Sequence, residues 1–402
     1  MQQQSLTISF IQSLDEIDPA AWNDCAGADN PFVSHEFLSA LEHSGSVGPD
    51  TGWLPYHMLV RSCDPVNAPA TTMANTPGSD RTIKACMPLY LKNHSYGEYV
   101  FDHGWADAFE RAGGRYYPKL QASVPFTPAI GPRFLVNSAS FPEETALLKS
   151  ALADGLVKIT EKMGLSSAHV TFLSDEDISV AKEENFLIRH DQQFHWHNDN
   201  YASFDDFLDQ LSSRKRKQIR KERKTVASSD IHIETLTGRN ITERHWDAFF
   251  RFYMDTGARK WGQPYLTREF FSEIGRTMND HIILFMCTRE GREIAAALNF
   301  LGSDTIYGRQ WGCIEDHPCL HFEACYYRAI DYAIEHGIGT VEAGAQGPHK
   351  LARGYAPVKT TSVHYIAEPS FRDAVARFLE DERRGVSAEI DYLAGKTPFK
   401  KV

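Results

Sequence analysis

The chain has 402 residues, a formal charge of −11, and a composition of 42% hydrophobic and 24% charged residues, typical of a water-soluble globular protein. This length predicts two or more domains. The seven cysteines are odd in number and contain no CxxC pair, which argues against a disulfide framework and a zinc ribbon. No signal-peptide pattern and no uncharged membrane-length apolar run is present. We therefore expect a cytoplasmic protein without membrane insertion, bound metal or tightly bound cofactor; the oligomeric state stays open.

The first half of the chain predicts a hairpin followed by a helix and a strand. Two apolar runs, 55–60 and 83–91, flank residues 64–81, which are rich in Pro, Ala, Thr, Asn and Ser and have no periodicity. Apolar residues then recur at helical intervals over 143–163, and Gly164 is suited to end that helix. An apolar run at 168–173 predicts the next strand.

A strongly basic run follows in the middle of the chain. Residues 214–224 contain eight basic residues and one acid, a net charge of +7. The preceding residues 204–211 have the apolar spacing of an amphipathic helix, which predicts one basic helix over 204–226. Such a helix places a set of cations on roughly one face: Arg216, Arg220, Arg223 and Lys224. This face could bind a polyanion, such as a tRNA backbone, coenzyme phosphates or a pyrophosphate-linked precursor, or it could be a solvated surface between domains.

The second half repeats the order of elements seen in the first. Strands at 282–287 and 294–301 flank a tight turn, and a third strand is predicted at 305–311. A helix over 322–336 ends at Gly337, and a strand follows at 340–343. The repeated plan suggests two copies of one α/β unit, at 1–190 and 191–402, with the basic helix near the join.

The last of these strands leads into a loop rich in ionisable residues. Glu342, His349, Lys350 and Arg353 fall within twelve positions of one another. A carboxylate or an imidazole can remove a proton from a nucleophile, while a lysine can stabilise negative charge on the group that is attacked. The alternative is a polar turn after a core strand.

Five segments together resemble the FemAB-like predicted N-acyltransferases of the GNAT superfamily, which are often described as peptidoglycan biosynthesis or recognition proteins. The segments are residues 116–133, 194–198, 214–223, 320–325 and 342–355. The resemblance implies tandem GNAT-like units, each a mixed central sheet flanked by helices, and an acyltransferase activity. It also implies an acyl-CoA or aminoacyl-tRNA co-substrate. The acceptor would be a small-molecule or cell-wall precursor amine, and tRNA is a further possible partner.

Within this resemblance the residues take specific roles. Glu342 or His349 would be the base, and Lys350 would stabilise the oxyanion. Glu342 could instead be a structural partner of Arg309 or Arg353. The turn at 312–321 lacks the paired glycines of the phosphate loop that acetyl-CoA enzymes use. The residues expected to bind substrate are Arg309, Trp311, His321, Glu323, Gln346, Arg353 and Tyr355.

Three functions are compatible with these patterns. The first is an N-acyltransferase that transfers an acyl or aminoacyl group to an amine. The second is a Fem-type aminoacyltransferase that takes its residue from charged tRNA. The third is a non-catalytic module that binds a cell-wall or lipid-linked precursor.

Overall fold

A computed structural model describes residues 5–63, 83–259, 264–344 and 349–400 of the chain. The strands are β1 (Ser5–Ile11), β2 (Trp53–Pro55), β3 (His57–Cys63), β4 (Ile83–Met87), β5 (Leu89–Lys92), β6 (Lys119–Ala122), β7 (Leu135–Val136), β8 (Ser167–Val170), β9 (Leu187–His197), β10 (Ile231–Thr237), β11 (Ile282–Arg289), β12 (Arg292–Leu301), β13 (Thr305–Cys313), β14 (Thr340–Glu342) and β15 (Ala356–Ile366). The helices are α1 (Pro19–Ala26), α2 (His35–His43), α3 (His103–Arg111), α4 (Thr145–Lys162), α5 (Asp175–Glu183), α6 (Phe204–Gln210), α7 (Ser213–Ala227), α8 (Glu243–Arg259), α9 (Arg268–Thr277), α10 (Leu320–Phe322), α11 (Arg328–Glu335) and α12 (Pro369–Ala394).

The chain divides into two structural units. The first contains residues 1–189 and 361–381, and the second contains residues 190–360 and 382–402. The predicted division at 190/191 omits the return of residues 361–381 to the first unit. That return follows from the antiparallel pairing of β15 with β8, in which Val363 faces Val170. Sequence spacing carries no sign of such a long-range pairing.

In the first unit, strands β2, β5, β6, β8 and β15 lie side by side in that order, and β1, β3, β4 and β7 form a second sheet. Strands β6 and β8 are parallel, as a crossover through a helix allows. That helix is α4, whose residues Leu148, Leu152 and Leu156 are fully buried because their spacing of four places them on one face.

In the second unit the strand order is β10, β11, β12, β13, β14 and β9. The β11–β12 hairpin turns at Glu290 and Gly291, both of which have positive φ, as a tight hairpin turn requires. Strands β13 and β14 are parallel, and β9 pairs with β14 in the antiparallel direction. The helical segment between β13 and β14 runs from Leu320 to Glu335 and contains a π-helical turn at Glu323–Tyr327.

The two units therefore repeat one pattern. In each mixed sheet a helical crossover joins two parallel strands, and an antiparallel strand lies next to the second of them. The predicted tandem α/β plan is confirmed. The predicted hairpin around residues 64–81 is also confirmed by the pairing of β3 with β4, while residues 64–81 themselves lie outside the described ranges. Within the described ranges, no helix combines the length and hydropathy needed to cross a membrane.

The prediction of one continuous helix over 204–226 is wrong. Helix α6 ends at Gln210, and α7 begins at Ser213. Leu211 between them is extended and forms an isolated antiparallel bridge with Phe399. A backbone hydrogen bond of 2.9 Å from the Ser212 N–H to the Pro398 carbonyl holds the same break. The tertiary pairing overrides the helical periodicity, which continued across residues 211–213 in the sequence.

Candidate active site

The candidate site lies where strands β13 and β14 part. Their parallel pairing covers only Thr305–Tyr307 and Thr340–Glu342, and β13 then continues to Cys313 without β14 beside it. The register between β12 and β13 shifts here: Leu298 faces Gln310 and Asn299 faces Gly308, so Arg309 is the extra residue of a bulge. Because parallel strands that separate expose backbone groups between them, this gap can admit a ligand.

Glu342 is the last residue of β14 and is 8% exposed. It faces His195 across the antiparallel β9–β14 pair, and its Oε1 lies 3.7 Å from His195 Nε2. Burial, together with the charges of His197 and Lys350, lowers the pKa of His195 to about 3. His195 is therefore neutral at pH 7, and the Glu342 carboxylate has an uncharged imidazole beside it.

The described ranges resume at His349 in the loop that follows β14. The His349 ring lies in a cluster of aromatic rings. Its Nε2 is 2.9 Å from the hydroxyl of Tyr326, and its ring centroid is 6.2 Å from that of His321. The His321 ring in turn packs edge-on against Trp311 at 5.4 Å. Partial burial and the nearby positive charges of Lys350 and Arg353 lower the pKa of His349 below its usual value of 6.5. The structure thus brings together three residues predicted to form the site and adds Tyr326 to them.

Lys350 follows His349 and is 3% exposed. Its Nζ donates a hydrogen bond of 2.8 Å to the backbone carbonyl of Gly344, so it reaches back to the residues that follow β14. Burial lowers the pKa of Lys350 to about 8. The ammonium is therefore mostly present at pH 7 and gives way to the neutral amine at mildly alkaline pH.

Arg353 holds this loop against helix α7. Its guanidinium donates to the His349 carbonyl at 2.7 Å and to Glu222 Oε2 at 2.9 Å, and it stacks 3.4 Å from the ring centroid of Phe322. Glu222 also accepts a short hydrogen bond from the hydroxyl of Tyr327. Arg353 thus forms its ion pair with Glu222, the single acid of the basic run. The positive charge of Arg353 is therefore balanced by a carboxylate of the protein itself.

Glu323 and Tyr355, both predicted to bind substrate, are buried. Glu323 is 4% exposed and accepts a hydrogen bond of 3.1 Å from Arg223. Burial raises the pKa of Glu323, an effect that Arg223 opposes. The ring of Tyr355 is fully buried and lies 5.5 Å from that of Tyr326. Tyr355 therefore packs against the aromatic cluster from within the core, whereas Glu323 is paired with Arg223. Gln346 lies outside the described residues.

The basic helix α7 has two faces that differ in their partners. Arg216, Arg220 and Arg223 pair with Asp209, Asp205 and Asp331, respectively. A second row of exposed cations lies on the neighbouring face, which is about 80° wide at 3.6 residues per turn. Within the described part of the chain, no acidic side chain lies within 4 Å of these cations. We call this row the basic stripe; it consists of Arg214, Lys217, Lys221 and Lys224. Of the four residues predicted to bind a polyanion, Lys224 therefore belongs to the stripe, and the three arginines form the paired face.

Sequence patterns missed several partners of the site. Tyr326 shares the helical apolar spacing of the core, and its hydroxyl contact with His349 carries no sequence signal. Glu222 could have been noticed as the one acid within 214–224. His195 lies in an alternating His-Trp-His strand. No group of three His, Cys, Asp or Glu side chains within the described ranges is placed to hold a metal ion.

Comparison with known proteins places this arrangement in a family. The model of the FemAB-like family, described as peptidoglycan biosynthesis/recognition, matches residues 13–401. The crystal structure of FemX has 12% identity and a TM-score of 0.54, covering 92% of this chain and 100% of that one. L-PGS from Bacillus licheniformis has 11% identity and a TM-score of 0.49, covering 88% and 98%. A tandem GNAT protein from the clavulanic acid biosynthesis pathway has 10% identity and a TM-score of 0.43, covering 91% and 99%.

At this identity the likeness to FemX shows a shared fold. No significant match is found among curated protein sequences. The family model, in contrast, spans almost the whole chain, including both units and the loop after β14. The chain belongs to the FemAB-like family.

Proposed function

We propose that this protein is an N-acyltransferase that transfers an acyl or aminoacyl group to an amine. The observation that carries the proposal is the pair of adjacent residues His349 and Lys350 at the parting of β13 and β14. One is an imidazole with a lowered pKa, and the other is a buried ammonium bonded to the Gly344 carbonyl. Membership in the FemAB-like family and the fold shared with FemX support the same activity.

In this reaction the acceptor nitrogen forms a bond to the acyl carbon, and the bond from that carbon to the leaving group breaks. The nitrogen loses a proton to a base of the protein, and the leaving group takes up a proton. His349 is suited to be the base because it is neutral at pH 7. When its Nε2–H donates to the Tyr326 oxygen, the Nδ1 lone pair remains to accept the proton. Glu342 is the other candidate, and its carboxylate lies beside neutral His195.

Lys350 would stabilise the oxyanion that develops on the acyl carbonyl. A buried cation acts strongly on such a charge because few water dipoles screen it. Arg353 would act indirectly, since its hydrogen bond to the His349 carbonyl and its ion pair with Glu222 hold the loop in position. The His321 ring packs against His349, and Trp311 packs against His321. These two side chains would form the wall of the substrate cleft.

The donor would be an acyl-CoA or an aminoacyl-tRNA. The basic stripe on α7 favours tRNA as a second candidate donor, because its four cations have no acidic partner within 4 Å in the described residues and can contact successive phosphates. The acceptor would be a small-molecule or cell-wall precursor amine. The remaining alternative is a module that binds such a precursor without turnover.

The test is to incubate the protein with an amine acceptor and either acyl-CoA or aminoacyl-tRNA donors, and to follow transfer by mass spectrometry. Transfer that is lost in the His349→Ala/Lys350→Ala variant would support the proposal. If ribonuclease treatment abolishes the transfer, the donor is an aminoacyl-tRNA. If transfer from acyl-CoA continues after ribonuclease treatment, the donor is acyl-CoA. No turnover with any donor, with precursor binding unchanged in the double variant, would establish the non-catalytic alternative instead.

A further inference from the structure

A pocket of about 550 Å³ opens beside His195 in the second unit. This volume is within the range of about 300–1,000 Å³ typical of small-molecule sites. The polar side chains that line it are His195, His197, Asp199, Tyr201, Gln210 and Lys400. None of the three functions considered above assigns a role to this pocket.

His195 joins the pocket to the candidate site. It lines the pocket, and its Nε2 also faces two acceptors, Glu342 Oε1 at 3.7 Å and Gln193 Oε1 at 3.2 Å. Two acceptor oxygens on one nitrogen favour the tautomer with the proton on Nε2. Nδ1 then keeps its lone pair and can accept a hydrogen bond from a ligand N–H.

The break between α6 and α7 builds the rest of the pocket. Besides the Leu211–Phe399 bridge, the Lys400 N–H donates to the Gln210 carbonyl at 2.9 Å. These backbone bonds fix Phe399 and Lys400 at the pocket. A continuous helix over residues 210–213 would have used these backbone groups within the helix, so the extended residue is what allows the C-terminal segment to form a wall.

The charges of the pocket are matched to a ligand with two opposite charges. Asp199 provides an exposed carboxylate and Lys400 an exposed ammonium, while neutral His195 is the buried polar group. Tyr201 packs against Trp196 with a centroid distance of 5.9 Å and gives the pocket an aromatic side. An amino acid or a short peptide carries both an amine and a carboxylate, and a neutral imidazole does not repel its amine.

We infer that this pocket binds the amine acceptor, and that the acceptor is an amino acid or a short peptide with a free amine and a free carboxylate. The inference rests on the proposed acyl transfer, whose acceptor it specifies. The amine lies toward His195 and Glu342 and is guided there by Asp199, and the carboxylate lies toward Lys400.

Binding can be measured without any donor by isothermal titration with L-alanyl-L-alanine and L-lysine as probes. The C-terminal amide and the N-acetyl form of the dipeptide each lack one charge. We expect the dipeptide to bind and both modified forms to bind about tenfold more weakly, which is the effect of losing one charge-assisted hydrogen bond. Asp199→Asn should weaken dipeptide binding about tenfold. Asp280→Asn, an exposed aspartate of the same unit outside the pocket, is the matched control and should leave binding unchanged.

A second measurement separates this inference from the proposed function. Asp199→Asn should raise the acceptor KM about tenfold. Asp280→Asn, which lies outside the pocket, should change neither the acceptor KM nor the hydrolysis of the donor in the absence of acceptor. If neither probe binds, or if Asp199→Asn changes neither Kd nor acceptor KM in a protein that transfers acyl groups, the pocket assignment is wrong. If the dipeptide binds in an Asp199-dependent way and no donor is ever turned over, the pocket stands and the proposed transfer fails.

Discussion

Glu342 Oε1 lies 3.7 Å from His195 Nε2, across the directly paired residues of β14 and β9. The carboxylate ends the strand that enters the candidate site, and the imidazole lines a separate pocket. Because His195 is buried and neutral, it can hydrogen-bond both to Glu342 and to a ligand in the pocket, and it adds no second positive charge near Lys350. The pair thus connects the group that could take a proton with the place where we propose the amine binds.

Removal of the Lys350 charge should abolish most of the transfer. For Lys350→Met we expect kcat to fall by about 10²- to 10³-fold, as when one preorganised oxyanion donor is lost, with a smaller change in donor KM. The measurement is steady-state kinetics by mass spectrometry of the product. Lys359→Ala, which removes an exposed lysine of β15, is the matched control and should retain the wild-type rate. A Lys350→Met enzyme with wild-type kcat would exclude the oxyanion role.

The pH dependence of kcat/KM should be bell-shaped. On the acidic side the rate rises as His349 loses its proton, at a pH below 6.5 because its pKa is lowered. On the alkaline side the rate falls near pH 8, where the Lys350 ammonium deprotonates. Lys350→Arg keeps its charge across this range, so the alkaline fall should disappear in that variant. An alkaline limb that is identical in Lys350→Arg would show that another group is responsible.

The same pKa shift predicts a stability change that needs no substrate. The pKa of Lys350 is about 8 in the folded protein, and an unperturbed lysine has a pKa of 10.5, so between these values the unfolded chain binds more protons. Stability contributed by this group therefore rises with pH through that window and is lowest below pH 8. Urea unfolding at a series of pH values should show this rise in the wild type and a smaller one in Lys350→Met. Equal slopes in both proteins would mean that the lysine is not desolvated.

Gly354 follows the site loop at a position that requires glycine. Its φ is +90°, and an added Cβ would lie 2.6 Å from Phe207 Cζ. Gly354→Ala should therefore lower the free energy of unfolding by about 1–3 kcal/mol, measured by denaturant unfolding. The control is Gly385→Ala in α12, where a Cβ meets no atom within 4 Å and alanine favours the helix. Equal stability of the two variants would contradict the close approach of residues 354 and 207.

The proposal of a tRNA donor depends on the basic stripe. It can be tested by reversing charges on the basic stripe and, separately, on the paired face of α7. Lys217→Glu/Lys221→Glu should raise the KM for a tRNA donor by about tenfold or more at low salt and reduce the salt dependence of binding. Arg216→Glu/Arg220→Glu makes the same charge change on the face that is already paired with aspartates and should have a smaller effect. Equal effects of both variants would show that the faces are not distinguished, and no effect of either would favour acyl-CoA.

Much of the architecture was predictable because it depends on local periodicity. The α4 leucines recur at helical intervals, and the β11–β12 turn at Glu290 and Gly291 lies between two continuous apolar runs. The strand that ends at Glu342 is a short run between Gly339 and Gly344. The break at Leu211 was not predictable, since the apolar spacing continues through it. Its cause is a bridge to Phe399, a residue distant in the chain.

Residue types and short-range spacing were enough to predict the α/β plan of two repeated units and the loop in which His349, Lys350 and Arg353 are concentrated. They could not show which of those charged side chains form ion pairs within the protein, because ion pairing depends on tertiary contacts. Arg353 is paired with Glu222, whereas Lys350 is buried against a carbonyl. Three arginines of α7 are paired with aspartates, namely Arg216, Arg220 and Arg223. A charge acquires its partner and its pKa from residues distant in sequence, and local spacing contains no information about either.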